Sequence, residues 1–293
     1  MSDEKKICRN CSAELTGEFC HACGQRDVEM KVPLKDLFHE FADEFLSFDA
    51  RIFRSIPPFL LRPGQLTLEY VSGKRIRFIS PFKLYFFMSF LYFFLSAITT
   101  ETTTLPAEVN PVNVDSLLNS VRADSVVTMG RKGMKLTVGN DSIRIERKFG
   151  RRFASGLKRL KKNPQLFYDK LHQHTPQVIF LLLPVFALLL KVLYVRSGTY
   201  YIQHIIFSFY FHAYIFFILF LSSLLESTRW TGASDLALLL DLAIPLSLYF
   251  GMKRVYGQSR GKTFLKFSLL SFAYGCVLIA AVAVTVFVVV SYL

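Results

Sequence analysis

Several things are missing from this 293-residue chain. No secretory leader is expected, since residues 1–30 are polar where a signal peptide needs a basic start and an apolar run. No GxxxxGK(S/T), HExxH, GxSxG or GxGxxG stands in a context that gives it meaning, which leaves phosphate-loop, zinc-protease, serine-hydrolase and dinucleotide chemistry without support. Nothing has the form of a base-stacking platform or a recognition helix, so nucleic acid is set aside as a partner despite a net charge of +13. The long apolar runs carry too few carboxylates for a proton-driven pump. Cysteine is scarce, five in all, and its placement is the strongest signal present.

Four of the five cysteines form two pairs, Cys8-x2-Cys11 and Cys20-x2-Cys23, separated by eight residues. Tetrahedral zinc takes four soft ligands, and each CxxC turn aims two sulfurs at one centre. Two matched turns this close favour a metal over a redox pair of disulfides, and iron suits the same sulfurs. With four protein ligands no position is left for a substrate water, so the expected role is structural. So short a stub has almost no core, and metal binding would supply its folding energy. His21, between Cys20 and Cys23, is expected to face solvent. Thiolates kept free for a metal place the N-terminus in a reducing compartment, the cytoplasm.

The rest is apolar in blocks. The chain is 52% hydrophobic with thirty Phe, and these residues cluster as bilayer spans do. Five segments qualify: 81–99, 177–195, 204–225, 233–252 and 267–292. The fold class expected is an all-α integral membrane protein with about five transmembrane helices, an N-terminal zinc knuckle and a small extracytoplasmic α/β loop region. Its parts are a zinc head at 1–30, a basic amphipathic connector at 31–80, span one at 81–99, an outer loop at 100–176 and spans two to five at 177–293.

Charge sets the orientation. Residues 1–80 carry as many acids as bases, but Arg51, Arg54, Arg62, Lys74, Arg75, Arg77 and Lys83 lead into span one and hold its start inside. Lys253, Arg254, Arg260, Lys262 and Lys266 hold a second loop inside, which puts the C-terminus outside. The basic run Arg147–Lys162 falls in the outer loop against the rule, but loops longer than about 60 residues largely escape it. Arg62, Lys74, Arg75 and Arg77 are the candidate contacts for anionic lipid headgroups, with topology alone as the plainer account of them.

Within the connector, Leu34, Leu37, Phe38, Phe41, Phe45, Phe48 and Ile52 mark one helical face, expected on the inner leaflet or against the bundle. Pro57-Pro58 and Pro63-Gly64 are expected to break the chain twice. In the outer loop, 99–113 reads as a linker, 126–146 as a small hairpin, and Phe149, Phe153, Leu157 and Leu160 as the apolar side of a basic interfacial helix. Intramembrane ionisable groups are costly, so His204, His212 and Asp241 are functional candidates. A buried His212–Asp241 contact is one expectation, and interhelical polar glue without a reaction is the other. Lys191 is expected to snorkel to the headgroups. Ser271-x3-Gly275 is a small-residue packing motif, and a homo-oligomer stays open.

Cys20-His-Ala-Cys-Gly-Gln25, Phe38-His-Glu-Phe41 with Asp49, Leu61-Arg-Pro-Gly64, Glu69-Tyr70, Gly73-Lys-Arg75 and Pro81-Phe-Lys83 follow one another in that order. The arrangement resembles bacterial membrane proteins of the domain of unknown function 3667 family, mainly over residues 7–90. Tyr201-Ile-Gln-His204 with Phe211-His212 resembles that family's histidine-bearing helix. The resemblance implies an inner-membrane protein headed by a zinc ribbon and supplies no reaction. The functional expectation is a non-enzymatic membrane protein whose zinc head and basic connector form a cytoplasmic platform for an unknown protein partner or anionic lipid. Its rivals are a small transporter or channel using His212 and Asp241, and a membrane enzyme acting on lipid or envelope precursors.

Overall fold

The computed structural model describes residues 6–27, 51–102, 125–130, 133–138, 141–145, 164–228 and 230–292. The expected connector helix over 34–48, most of the 99–113 linker and the basic helix over 149–160 lie outside the described residues. Described elements are α1 (Arg51–Leu61), α2 (Gln65–Val71), α3 (Pro81–Thr102), β1 (Ser125–Gly130), β2 (Gly133–Val138), β3 (Asp141–Ile145), α4 (Pro164–Leu193), α5 (Tyr201–Ser227), α6 (Ala233–Asp241), α7 (Ala243–Tyr256) and α8 (Arg260–Tyr292). The chain is mostly helical, and five of its segments are long and apolar enough to cross a membrane: Pro81–Thr99, Thr175–Leu193, Tyr201–Ser227, Ala233–Tyr256 and Arg260–Ser291. These correspond to the five spans read from the sequence.

The contacts divide the chain into two compact units, Met1–Thr102 with Leu182–Tyr274, and Thr103–Leu181 with Gly275–Leu293. In the second, three short strands pair antiparallel in the order β1-β2-β3, with Val127 opposite Leu136 and Leu136 opposite Ile143.

In the first unit α5 is the buried helix. Its phenylalanines explain why. Lipid tails are as apolar as leucine, so helices in a bilayer associate through packing rather than through exclusion of water. Aromatic rings give that packing directional contacts. Phe82 of α3 lies 4.0 Å from Phe209, and Tyr85, Tyr92 and Phe93 of the same helix all surround Phe216. On another side Phe186, Leu190, Tyr194, Phe207, Phe211, Leu248, Met252 and Leu270 close one apolar cluster.

The fourth apolar segment is interrupted between α6 and α7 at Leu242. Pro245 accounts for the break, because it has no N–H for the carbonyl of Asp241 and its ring crowds that carbonyl. The prolines before span one behave differently from expectation. Pro57 and Pro58 lie inside α1, and only Pro63-Gly64 ends a helix. The N–H groups missing at 57 and 58 would have met the carbonyls of Phe53 and Arg54, both on exposed residues of α1. Those carbonyls can be solvated from outside, so the helix survives.

Gly64 is the turn between α1 and α2, with φ of 80°. A Cβ there would come within 2.9 Å of the Gly251 carbonyl oxygen and 3.0 Å of Val255. Both the left-handed backbone and the contact with α7 therefore require glycine. Arg254 of α7 closes the same junction, donating from Nη1 to the Pro63 carbonyl at 2.7 Å.

Candidate metal centre

The head is one small structure built twice. In the first half the Ser12 N–H donates to the Cys8 carbonyl, the Cys8 N–H to Ala13, and the Leu15 N–H to Lys6. Twelve residues on, Gly24 donates to Cys20, Cys20 to Gln25, and Asp27 to Glu18. Ile7 bridges Glu14, and Phe19 bridges Arg26 in the same way. Ser12 and Gly24 hold equivalent left-handed positions, φ 63° and 74°, which lets the chain reverse after the second cysteine of each pair. Each CxxC is thus the tip of a minimal hairpin, and both tips meet.

The four Sγ atoms all lie within 4.8 Å of one another. Cys8 and Cys23 are 3.6 Å apart, and Cys11 and Cys20 are 3.5 Å apart. Sulfurs placed tetrahedrally at about 2.3 Å from zinc would stand roughly 3.8 Å from each other, so the cluster fits a metal with little movement. Cys8 and Cys20 are buried while Cys11 is exposed. Burial opposes ionisation of the Cys23 thiol, but hydrogen bonds from the Asn10 side chain and the Gln25 backbone, with Cys11 and Cys8, outweigh it and bring the thiol down to about 6. At Cys11 the Ala13 backbone bond favours the thiolate, yet desolvation and the Cys20, Cys23 and Cys8 thiols push it up to about 12. The shared protons are those a bound cation would displace. His21 is exposed.

Gln25 ties this head to the segment before span one. Its Nε2 donates to the Gly73 carbonyl at 2.7 Å, and its Oε1 accepts from the Arg75 N–H at 3.2 Å. Both ends of one buried amide are used on the backbone of a segment 48 residues away. Arg9, from the other hairpin, lays its methylenes on Gly73, where a Cβ would meet its Cδ at 3.0 Å. The Gln25 carbonyl meanwhile accepts from Cys20, so the clamp and the metal turn share a residue. Sequence reasoning quoted Gln25 only as the end of a motif. No local signal announces a partner so far along the chain.

Replacing Gln25 with alanine is expected to leave the metal bound and loosen the loop. The Gly73 carbonyl and the Arg75 N–H would keep only their 3.2 Å bond to each other, and each bond lost with Gln25 costs about 0.5–1.5 kcal/mol. Amide hydrogen exchange at Gly73–Arg75 should rise in the variant while exchange at Cys8–Cys23 stays slow.

The bases proposed for lipid are not equivalent. Lys74 Nζ is 2.8 Å from Glu69 Oε2, which neutralises it. The Arg75 guanidinium lies over the Tyr70 ring at 5.4 Å, and Arg77 over Phe78 at the same distance. Arg62 is exposed beyond the end of α1.

The intramembrane residues form two separate networks. His212 Nδ1 is 2.8 Å from the Ser208 carbonyl, which can only accept, so Nδ1 carries the proton and Nε2 accepts from the Tyr274 hydroxyl at 2.8 Å. His204 takes the opposite tautomer. Ser197 spends its hydroxyl proton on the Tyr194 carbonyl, so Thr199 must donate to Ser197, His204 Nε2–H to Thr199, and Tyr256 to His204 Nδ1. Asp241 belongs to neither, accepting instead from the Ser222 hydroxyl at 2.9 Å. The expected His212–Asp241 contact is therefore corrected, because each residue has another partner. Lys191 turns to the loop at the end of α4, donating to the Thr199 carbonyl at 2.6 Å.

No curated protein and no solved structure matches the chain. A family model does, over residues 49–93, from the start of α1 into span one. That stretch includes the Pro63-Gly64 turn and the Gly73–Arg75 segment held by Gln25, and over it the chain is similar to the family described as "Protein of unknown function (DUF3667)".

Proposed function

We propose that this is a non-enzymatic multi-pass protein of the bacterial inner membrane, with its N-terminus in the cytoplasm and its C-terminus outside. Its structural zinc knuckle would serve as a platform for a protein partner or anionic lipid, and iron would suit the same four sulfurs. The observation that carries this reading is the Gln25 clamp, which gives the head a fixed seat on the segment leading into span one. Four thiolates also saturate a tetrahedral ion, consistent with a scaffold rather than a reaction centre. A protein partner has an apolar handhold in each hairpin, since Ile7 and Phe19 occupy equivalent positions and are 61% and 59% exposed.

The transporter reading has less support. His204, His212 and Asp241 are engaged in helix-to-helix or helix-to-loop hydrogen bonds, as polar glue would be. A cavity of about 30 Å³ lies between Phe59, Thr67, Tyr210 and Ser247, none of which is one of those three residues. One water needs roughly 10–15 Å³ of such space, so there is room for about two waters. The enzyme reading needs a cluster of reactive groups near one interface, and the sequence shows none clearly.

A photo-crosslinking residue at Ile7 or Phe19 in intact cells tests the platform. A discrete protein adduct that disappears when Cys20 is replaced by serine is the expected result. Adducts unchanged by loss of the knuckle would remove its role.

A further inference from the structure

Helix α1 has two faces, and both are apolar. Ile52, Ser55 and Phe59 are buried, with the Phe59 ring 5.6 Å from Tyr214 and 6.2 Å from Phe217. On the other side Phe53 and Leu61 are 66% and 80% exposed, with exposed Pro57 between them at helical spacing. Arg54 and Arg62 lie one residue on from Phe53 and Leu61, and both are exposed. We infer that α1 lies in the cytoplasmic headgroup boundary, with Phe53, Pro57 and Leu61 in the acyl region and Arg54 and Arg62 on anionic lipid phosphates.

The helix sits beside the start of span one. Ser55 Oγ accepts from the Ile79 N–H at 3.0 Å, two residues before span one begins. The turn after α1 packs Gly64 on Gly251 and Val255, close to the end of α7 at Tyr256. A face at that level, beside the spans, meets lipid. The backbone agrees with the boundary rather than the hydrocarbon. Pro57 and Pro58 leave the Phe53 and Arg54 carbonyls without helical donors, which headgroup water can satisfy and lipid tails cannot.

Charge identifies the lipid. Guanidinium groups at the edge of an apolar stripe bind phosphate in the anionic cytoplasmic leaflet. Lys74 is already held by Glu69 and Arg75 lies on Tyr70, so the lipid contact shifts toward Arg54 and Arg62. The inference rests on the membrane reading proposed above and names the part of the connector that touches lipid.

The single tryptophan makes a direct test possible. In full-length protein in lipid nanodiscs, Trp230→Phe is combined with Phe53→Trp or Leu61→Trp, and emission is measured with acyl-brominated lipid and with aqueous iodide. Phe272→Trp on span five and Ile7→Trp on the head are the controls. Both α1 probes should be quenched by brominated lipid on the order of twofold, and more by anionic than by zwitterionic lipid. Arg54→Gln with Arg62→Gln should abolish that preference. Quenching by iodide alone would place the stripe in water, and protection from both quenchers would place it under protein. Either result overturns the inference, as does an anionic preference that survives both arginine changes. If the Phe272→Trp probe is also silent toward brominated lipid, the membrane reading itself fails.

Discussion

Gly64→Ala is expected to be among the most damaging single-methyl changes in the chain. Two costs add there. An L-residue in the left-handed region loses roughly 1–2 kcal/mol, and the new Cβ would press on the backbone oxygen of Gly251 at 2.9 Å. Backbone cannot step aside as a flexible side chain can, so either α1–α2 or α7 must shift and the Arg254–Pro63 bond goes with it. The total should approach about 4 kcal/mol, in the range reserved for core disruption. Gly198→Ala carries the first cost alone, since Gly198 has φ of 70° and open space around its would-be Cβ. Thermal unfolding in detergent should separate the two variants clearly, with Gly198→Ala only mildly affected. Equal losses would mean that the hairpin does not depend on its seat against α7.

Cys20→Ser has a larger effect on a smaller region. Serine is a poor ligand for a soft metal site, and three remaining thiolates do not close the tetrahedron. The free energy at stake is that of structural zinc, roughly 10–16 kcal/mol, with almost no apolar core to replace it. Hydrogen exchange over residues 6–27 should become that of an unfolded peptide. Exchange at Gly73–Arg75 should rise as well, because Gln25 loses its position with the turn. The spans should still insert. Cys276→Ser, on the exposed side of α8, should change none of this.

Much of the architecture could be read from the sequence because its signals are local. An apolar run of sufficient length is a span whatever its neighbours, and two CxxC turns at short separation bring four sulfurs together. The contacts that fix the head and the connector are non-local. Gln25 meets Gly73, and Gly64 meets Gly251, through no pattern in the intervening residues. The histidine–aspartate expectation failed for a measurable reason. His204 bonds Tyr256, so spans three and four are level there. From that pair His212 lies eight residues along and Asp241 fifteen, about 12 Å against about 22 Å. The apolar run in the sequence stops at Met252, whereas α7 continues to Tyr256, which moves Asp241 away and toward Ser222. The prolines at 57 and 58 misled because the carbonyls they free lie on exposed residues and can be solvated from outside.

Metal stoichiometry of the purified full-length protein bears on all of this most directly. Elemental analysis should find about one zinc or iron per chain, removable only by strong chelators and with loss of exchange protection over Cys8–Cys23. Protein that carries neither metal, yet keeps its head protected and Gln25 seated on Gly73, would contradict the account.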